Sequence, residues 1–169
     1  CARALKNFKF KNLCIVLPKK KFPHKKTIAT SVGAINIIKS SKIYNSFEDS
    51  IKNFDCIIAT SARTRNKNFN LISLKNLKKI NYSKNVAFIF GPEASGLSNN
   101  DLTYANYVLT LPTNRKFNSL NLSHSMIILC YELFKILEKN NKNYSHSNKV
   151  KLVKKKDLLK LTNFLISSL

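Results

Sequence analysis

Residues 88–102, FIFGPEASGLSNNDL, hold the first side chains in this sequence that could do chemistry. Gly91 and Gly96 lie between an apolar run and a helix start, spaced as in the first half of a phosphate-binding G-x-x-x-x-G-K-[ST] loop. Leu97 stands where the phosphate-reaching lysine belongs, and Glu93 would repel an anion. The loop therefore suits a neutral or cationic ligand better than a nucleoside triphosphate. A tight strand-to-helix turn with Glu93 paired to a nearby cation accounts for the same residues equally well. The whole chain contains only three glycines, Gly33, Gly91 and Gly96, so two of the three bracket this one loop.

Arginine is as sparse as glycine. Of 30 basic residues only Arg3, Arg63, Arg65 and Arg115 are arginine, which hints at sites needing a planar, forked donor that lysine cannot imitate. Arg63, Arg65 and Arg115 fall in polar stretches, where forked contacts to RNA phosphates and ordinary surface pairing are both open. The lysine-rich runs at 19–26 and 154–156 suit phosphate tracking or simple solvation. His24, His124 and His146 suit helix packing or exposure rather than catalysis. Phe117 suits anchoring of its loop, with stacking on a base as the alternative. Cys1, Cys14, Cys56 and Cys130 are scattered without a CxxC pair, so neither a metal site nor a disulfide framework is expected, and buried thiols in a reducing cytoplasm are.

These residues must be positioned by one domain, since 169 residues allow a full core but not two comfortable ones. The formal charge of +22 attracts polyanions, of which nucleic acid is the commonest. A chain rich in Lys, Asn and Ile throughout offers a compositional account of the same excess. No apolar run approaches a membrane span, and no signal-peptide pattern is present.

Apolar runs at 12–17, 55–60, 85–90 and 107–111 read as strands, with a weaker one at 42–44. Between them, 2–8, 27–38, 46–54, 71–80 and 120–140 read as helices. Ser46 with Asp49, and Ser98 with Asp101, carry the spacing of helix caps. Strands alternating with helices, most strands continuously apolar, predict an α/β fold with a mostly parallel sheet flanked by helices on both faces. Residues 140–153 read as a linker. Residues 154–169 regain a helical stripe of Leu158, Leu159, Leu161 and Leu165, expected to pack on a partner or a later segment.

Taken together, FIFGPEASGLSNNDL (88–102) and LPTNRKFNSLNLSHSMIILCYEL (111–133) resemble the second and third motifs of the SPOUT RNA 2′-O-methyltransferases, in the TrmJ-like branch of the TrmH group. CARALKNF (1–8) is similar to the tail of that family's first motif, and ATSARTR (59–65) to the segment between. The resemblance runs in order from residue 1 to about residue 138, and it implies a C-terminal trefoil knot, a homodimer and S-adenosylmethionine as methyl donor. By matching positions, it places the cofactor against Thr60, Ser61, Ala62, Gly91, Gly96, Leu111, Asn118, Ser119 and Leu120, with Gly91 letting the backbone approach the donor. It gathers Arg3, Glu93, Ser119 and Asn121 in the catalytic region. The family's first motif opens with an Asn-Ile/Met-Gly stretch just before its arginine. This sequence begins after that point and without methionine, so a preceding segment containing it is expected.

Methyl transfer from a sulfonium to a ribose hydroxyl is an in-line displacement that needs alignment more than acid–base power. A guanidinium is almost never neutral in a protein and makes a poor base. Arg3 is therefore expected to orient phosphate and hydroxyl, with the proton leaving late or through Ser119 or water. The resemblance implies a cytoplasmic enzyme acting on a pyrimidine of the tRNA anticodon loop. It divides the chain into a methyltransferase domain (1–139), the linker, and the start of a helical C-terminal extension that assists dimerisation and tRNA binding. A ribosomal RNA methyltransferase of the same group, and a non-catalytic basic RNA-binding module of the same fold, are the alternatives. No metal and no membrane enter any of these readings.

Overall fold

The computed structural model describes residues 1–18, 21–62, 69–114, 116–139, 161 and 164–167. In chain order the elements are helix α1 (Ala2–Asn7), strand β1 (Cys14–Val16), helices α2 (Lys25–Ala29) and α3 (Ile35–Lys39), strand β2 (Lys42–Tyr44) and helix α4 (Phe47–Ile51). Strands β3 (Cys56–Thr60) and β4 (Leu71–Ser73) follow, then a 3-10 turn (Leu74–Lys79). Strand β5 (Val86–Ile89), helix α5 (Asn99–Thr103), strand β6 (Tyr107–Thr110) and helix α6 (Leu122–Lys139) complete the set.

All strand pairs are parallel, as the continuously apolar runs predict. The strands form two sheets, however, rather than one. Four strands lie in the order β4-β6-β3-β5, and β1 pairs only with β2. In the larger sheet Ile58 and Ala59 of β3, and Val108 and Leu109 of β6, are essentially solvent-free. Because alternate residues point to opposite faces, Ile58 and Leu109 pack with Ile72, Leu77, Leu129 and Leu133 under α6. Ala59 and Val108 pack with Leu97 and Leu102 under α5. Both faces are covered, and truncating a buried leucine such as Leu109 to alanine would cost about 2–5 kcal/mol. A third cluster, Ala2, Ala4, Leu5, Ala34, Ile37, Ile38, Met126 and Cys130, seats α1 and α3 on α6.

Four expectations are corrected. The helix read over 27–38 is two helices, α2 and α3. Thr30 and Ser31 turn their hydroxyls back to the carbonyls of Lys26 and Thr27 at 2.9 and 2.7 Å, and Gly33 adopts φ 75°. Such local bonds compete with the helix, and the left-handed glycine ends its first half. Residues 71–80 are not one helix either. Leu71–Ser73 joins the sheet beside β6, where Ile72 is buried, so tertiary pairing overrides the lysine-spaced helical pattern of the segment. The strand in 12–17 is only half-buried, with Cys14 exposed. Of the four thiols only Cys130 is buried; Cys1 and Cys14 are exposed and Cys56 is intermediate.

Both predicted caps form. Ser46 accepts from the Asp49 amide at 3.1 Å, and Ser98 and Asp101 exchange a full capping box at 3.1 and 2.8 Å. No helix among the described residues is long and apolar enough to cross a membrane. Leu161 and residues 164–167 are helical and exposed, whereas the predicted linker at 140–153 and Leu158 and Leu159 lie outside the described residues.

Candidate active site

Since β3, β5 and β6 run parallel as neighbours, the loops that follow them emerge at one end of the sheet, where open α/β sheets hold their ligands. These are the loops containing residues 61–62, 90–98 and 111–121, and they are tied together pairwise. The Thr60 hydroxyl donates to the Ile89 carbonyl at 3.0 Å, joining the ends of β3 and β5. The Ser61 amide donates to the Leu109 carbonyl at 3.0 Å, joining β3 to β6. Beyond the sheet, Asn118 reaches across with its side-chain amide to the Ala62 carbonyl at 3.0 Å.

The glycine loop closes on itself before it meets its neighbours. Gly96 donates its amide to the Pro92 carbonyl at 2.7 Å. A side chain on Gly91 would strike the backbone of Gly96 and Leu97, with the Gly96 carbonyl oxygen only 2.6 Å away. Gly91 is therefore required by the loop crossing over it, a demand of the fold that stands beside the expected approach of a ligand. Gly96 has open space around it but sits at φ 68°, a conformation that glycine adopts without penalty. Leu97 then buries into the core beside Ala59, and Ser98 starts α5, so the loop is pinned at both ends.

Glu93 is exposed at the crest of this loop and makes no ion pair among the described residues. Its partner is the side-chain amide of Asn121, which donates to Oε1. Asn121 is fixed from its other end: its carbonyl oxygen accepts from the Ser123 amide at 2.8 Å and the Ser123 hydroxyl at 2.5 Å. Those bonds satisfy free groups at the first turn of α6, the usual service of a helix-capping asparagine. With the carbonyl committed to the cap, only the amide nitrogen can face Glu93. Ser123 is thus a site residue that the motifs did not reveal. An asparagine directly ahead of a strongly periodic helix was the signal that could have found it.

The structure thus brings Glu93 to Asn121, and Thr60, Ser61 and Ala62 to Leu109 and Asn118. Ser119 lies between the two asparagines, exposed, its hydroxyl without a hydrogen bond among the described residues. Leu111 and Leu120 flank the loop and are half-buried. Arg3 is exposed on α1, whose Ala2, Ala4 and Leu5 pack against Met126 and Cys130 of α6. No hydrogen bond or ion pair joins Arg3 to Glu93, Ser119 or Asn121. Arg63, Arg65 and Arg115 lie outside the described residues. The Nδ1 of His24 accepts from the Lys26 amide at 3.0 Å and caps α2. Among the described residues no cluster of His, Cys, Asp or Glu could hold a metal.

Among the described residues, the interlocked arrangement of amides, hydroxyls, leucines and one carboxylate itself supplies no cation for a phosphate. It can hold a ligand that is neutral or positive where Glu93 faces it. A separate open groove of about 660 Å³, lined by Lys75, Lys78, Tyr82, Glu132 and Lys135 among others, shares no residue with this site.

Comparison with known proteins supplies a family. Residues 1–131 match the SpoU rRNA Methylase family. An uncharacterized tRNA/rRNA methyltransferase of Haemophilus influenzae is 36% identical over 149 residues, which is 86% of this chain and 61% of the relative. The tRNA (cytidine-2′-O-)-methyltransferase TrmJ of Methanocaldococcus jannaschii is 31% identical, over 91% of this chain and 71% of that protein. Among solved structures, a "probable methylase family protein" from H. influenzae superposes with a TM-score of 0.76 at 31% identity, covering 98% of this chain and 70% of the other. TrmJ from Z. mobilis gives 0.75 at 23%, with the same coverage, a likeness of fold. The chain spans between about half and three-quarters of the length of the curated relatives it matches. By sequence across most of its length and by fold across nearly all of it, this chain belongs to the SpoU rRNA Methylase family.

Proposed function

We propose that this chain carries the catalytic domain of an S-adenosylmethionine-dependent RNA ribose 2′-O-methyltransferase with tRNA as substrate. The observation that carries the reading is the interlock at the carboxyl ends of β3, β5 and β6, where Asn118 holds Ala62 and Asn121 holds Glu93. Support comes also from the M. jannaschii relative, a tRNA (cytidine-2′-O-)-methyltransferase, and from a fold neighbour described in connection with 2-OH methylation of C/U34 on tRNA. A pyrimidine of the anticodon loop is the target that fits those relatives, with ribosomal RNA as the alternative.

The donor set fits S-adenosylmethionine: uncharged amides and hydroxyls, half-buried leucines, and a single carboxylate that complements a sulfonium rather than a phosphate. When bound, that cofactor supplies an electrophilic methyl group. Thr60, Ser61, Ala62, Gly91, Gly96, Leu111, Asn118, Ser119 and Leu120 would hold it. Asn121 fixes the Glu93 carboxylate, and its own position is set by the helix cap. The Ser119 hydroxyl, without a hydrogen bond among the described residues, is available to take one from the ribose hydroxyl and pass its proton to water. Arg3, exposed and unpaired among the described residues, orients the acceptor phosphate, and Arg63, Arg65 and Arg115 extend that grip along the RNA.

The same reading includes a homodimer, a knot, a division of the chain and a cytoplasmic location. Ile127 and Tyr131, 44% and 49% exposed on one side of α6 next to Phe8, suit a subunit interface. The strand order supports the knot, since β6 enters between β4 and β3, both earlier in the chain, and the segment after it is tied back to Ala62. Residues 1–139 form the catalytic domain, 140–153 a linker, and 154–169 the start of a helical extension. The exposed Leu161, Phe164, Leu165 and Ile166 suit packing of that extension on a partner surface. Calorimetry on the full-length protein tests the core of the proposal: S-adenosylmethionine should bind, and tritiated methyl should transfer to tRNA in preference to ribosomal RNA transcripts. Absence of cofactor binding would sink the enzyme reading.

A further inference from the structure

Phe117 is 78% exposed, the largest value among the exposed apolar side chains of the described residues. It does not anchor its loop, as the sequence suggested it would. Its ring joins none of the three core clusters and none of the aromatic pairs. The backbone beneath it is nevertheless firmly held. The Phe117 amide donates to the Asn114 carbonyl at 2.9 Å, and the Lys116 amide to Asn114 Oδ1 at 3.0 Å. Residues 114 and 117 form an antiparallel bridge, and the Thr113 hydroxyl donates to the Asn118 carbonyl at 3.3 Å. Asn118 is in turn fixed to Ala62. A bare aromatic ring is therefore presented to solvent on a closed turn, beside an exposed lysine, at the edge of the candidate site.

Phe117 lies two positions before Ser119, a reach of at most about 7 Å along the chain. A ribose whose hydroxyl meets Ser119 therefore carries its base, or the next one, within range of the ring. Every base has a π-face, and unpaired bases in RNA loops are commonly held by stacking on aromatic side chains. We infer that Phe117 is a stacking platform for an unpaired base at the acceptor nucleotide, with Lys116 beside it on the adjoining phosphate. This inference rests on the methyl-transfer reading, and it assigns a positioning role to a residue outside the proposed cofactor and catalytic sets.

The test uses the full-length protein and an RNA stem-loop carrying a fluorescent adenine analogue at or beside the acceptor position. Phe117→Ala and Phe117→Leu should each weaken stem-loop binding about tenfold and abolish the stacking-induced quench of the analogue. Phe117→Tyr should retain both, and S-adenosylmethionine affinity and the sedimentation coefficient should be unchanged in all three variants. Leucine serving as well as phenylalanine would overturn stacking in favour of plain apolar contact. Loss of subunit assembly in Phe117→Ala would overturn it in favour of a protein interface. Methyl transfer by the wild type with no change in Phe117→Ala would remove this inference alone. Failure of the wild type to bind the cofactor would remove the underlying reading and this inference with it.

Discussion

Replacing Gly91 with alanine, against Gly96→Ala as its control, separates two reasons for having a glycine in the same loop. At Gly91 the new methyl would lie 2.6 Å from the Gly96 carbonyl oxygen and closer still to the Gly96 carbonyl carbon and Leu97 nitrogen. Ordinary contact begins at 3.4 Å and the nearest atoms lie at 2.2 Å, so the crossing segment would retreat by about 1.2 Å. All three obstructing atoms are backbone, and no rotamer change relieves them. The retreat carries Leu97, only 6% exposed, out of its packing with Ala59, Leu102 and Val108, and it shifts Ser98 from the start of α5. Overpacking of about 1–3 kcal/mol, with part of the roughly 1.5–3 kcal/mol for a buried leucine, gives a loss of about 3–4 kcal/mol. At Gly96 space is open and only the left-handed backbone is penalised, about 1–2 kcal/mol, partly offset through the unfolded chain. Urea unfolding followed by circular dichroism measures both variants. Gly91→Ala should lower the midpoint by several times as much as Gly96→Ala. Equal losses, or a larger loss at Gly96, would refute the argument that the loop's own crossing dictates Gly91.

Ser119→Ala should abolish methyl transfer with stability unchanged within about 0.5 kcal/mol, whereas Asn121→Ala should abolish transfer and also destabilise by about 1 kcal/mol through loss of the α6 cap; activity assays paired with urea melts distinguish them. Burial pushes the Tyr82 phenol up to about 12, while its hydroxyl donates to the Leu77 carbonyl at 2.8 Å. The folded chain therefore keeps a proton that the unfolded chain loses, and stability contributed by Tyr82 falls as pH rises from about 10 to about 12. Tyr82→Phe should flatten that alkaline decline, read as urea midpoints across the same range. Burial likewise raises the Cys130 thiol to about 11, so Cys1 and Cys14 should react with a thiol reagent in the native protein and Cys130 only on unfolding.

Periodicity in the sequence was enough for the three strands of the main sheet other than β4, for α6, and for both Ser–Asp caps, because each depends on neighbours in the chain. What it hid depends on neighbours in space. Leu71–Ser73 has lysine-spaced helical surroundings, and only its place beside β6 makes it a strand. Thr30 and Ser31 look like ordinary small helix residues until their hydroxyls fold back on the carbonyls a turn earlier. In the site, the proximity of Glu93 to Asn121 was legible only through family motifs. The split of Asn121 between cap and carboxylate, with Ser123 behind it, required the three-dimensional arrangement. Glu93 itself, first legible as an objection to phosphate, proves to be tied to Asn121.

The placement of β6 between two earlier strands has a consequence for the chain as it leaves the ribosome. Contacts that close the cleft join residues 29, 48 and 56 positions apart, the last between Ala62 and Asn118. At about 5–20 residues per second, Asn118 is added some 3–11 s after Ala62. Throughout that interval β3 and β4 have no central partner, and their exposed edges are templates for pairing with other chains. The nascent protein is then most vulnerable to aggregation, and the stage at which β6 slots home is also the stage at which a cofactor could first protect it.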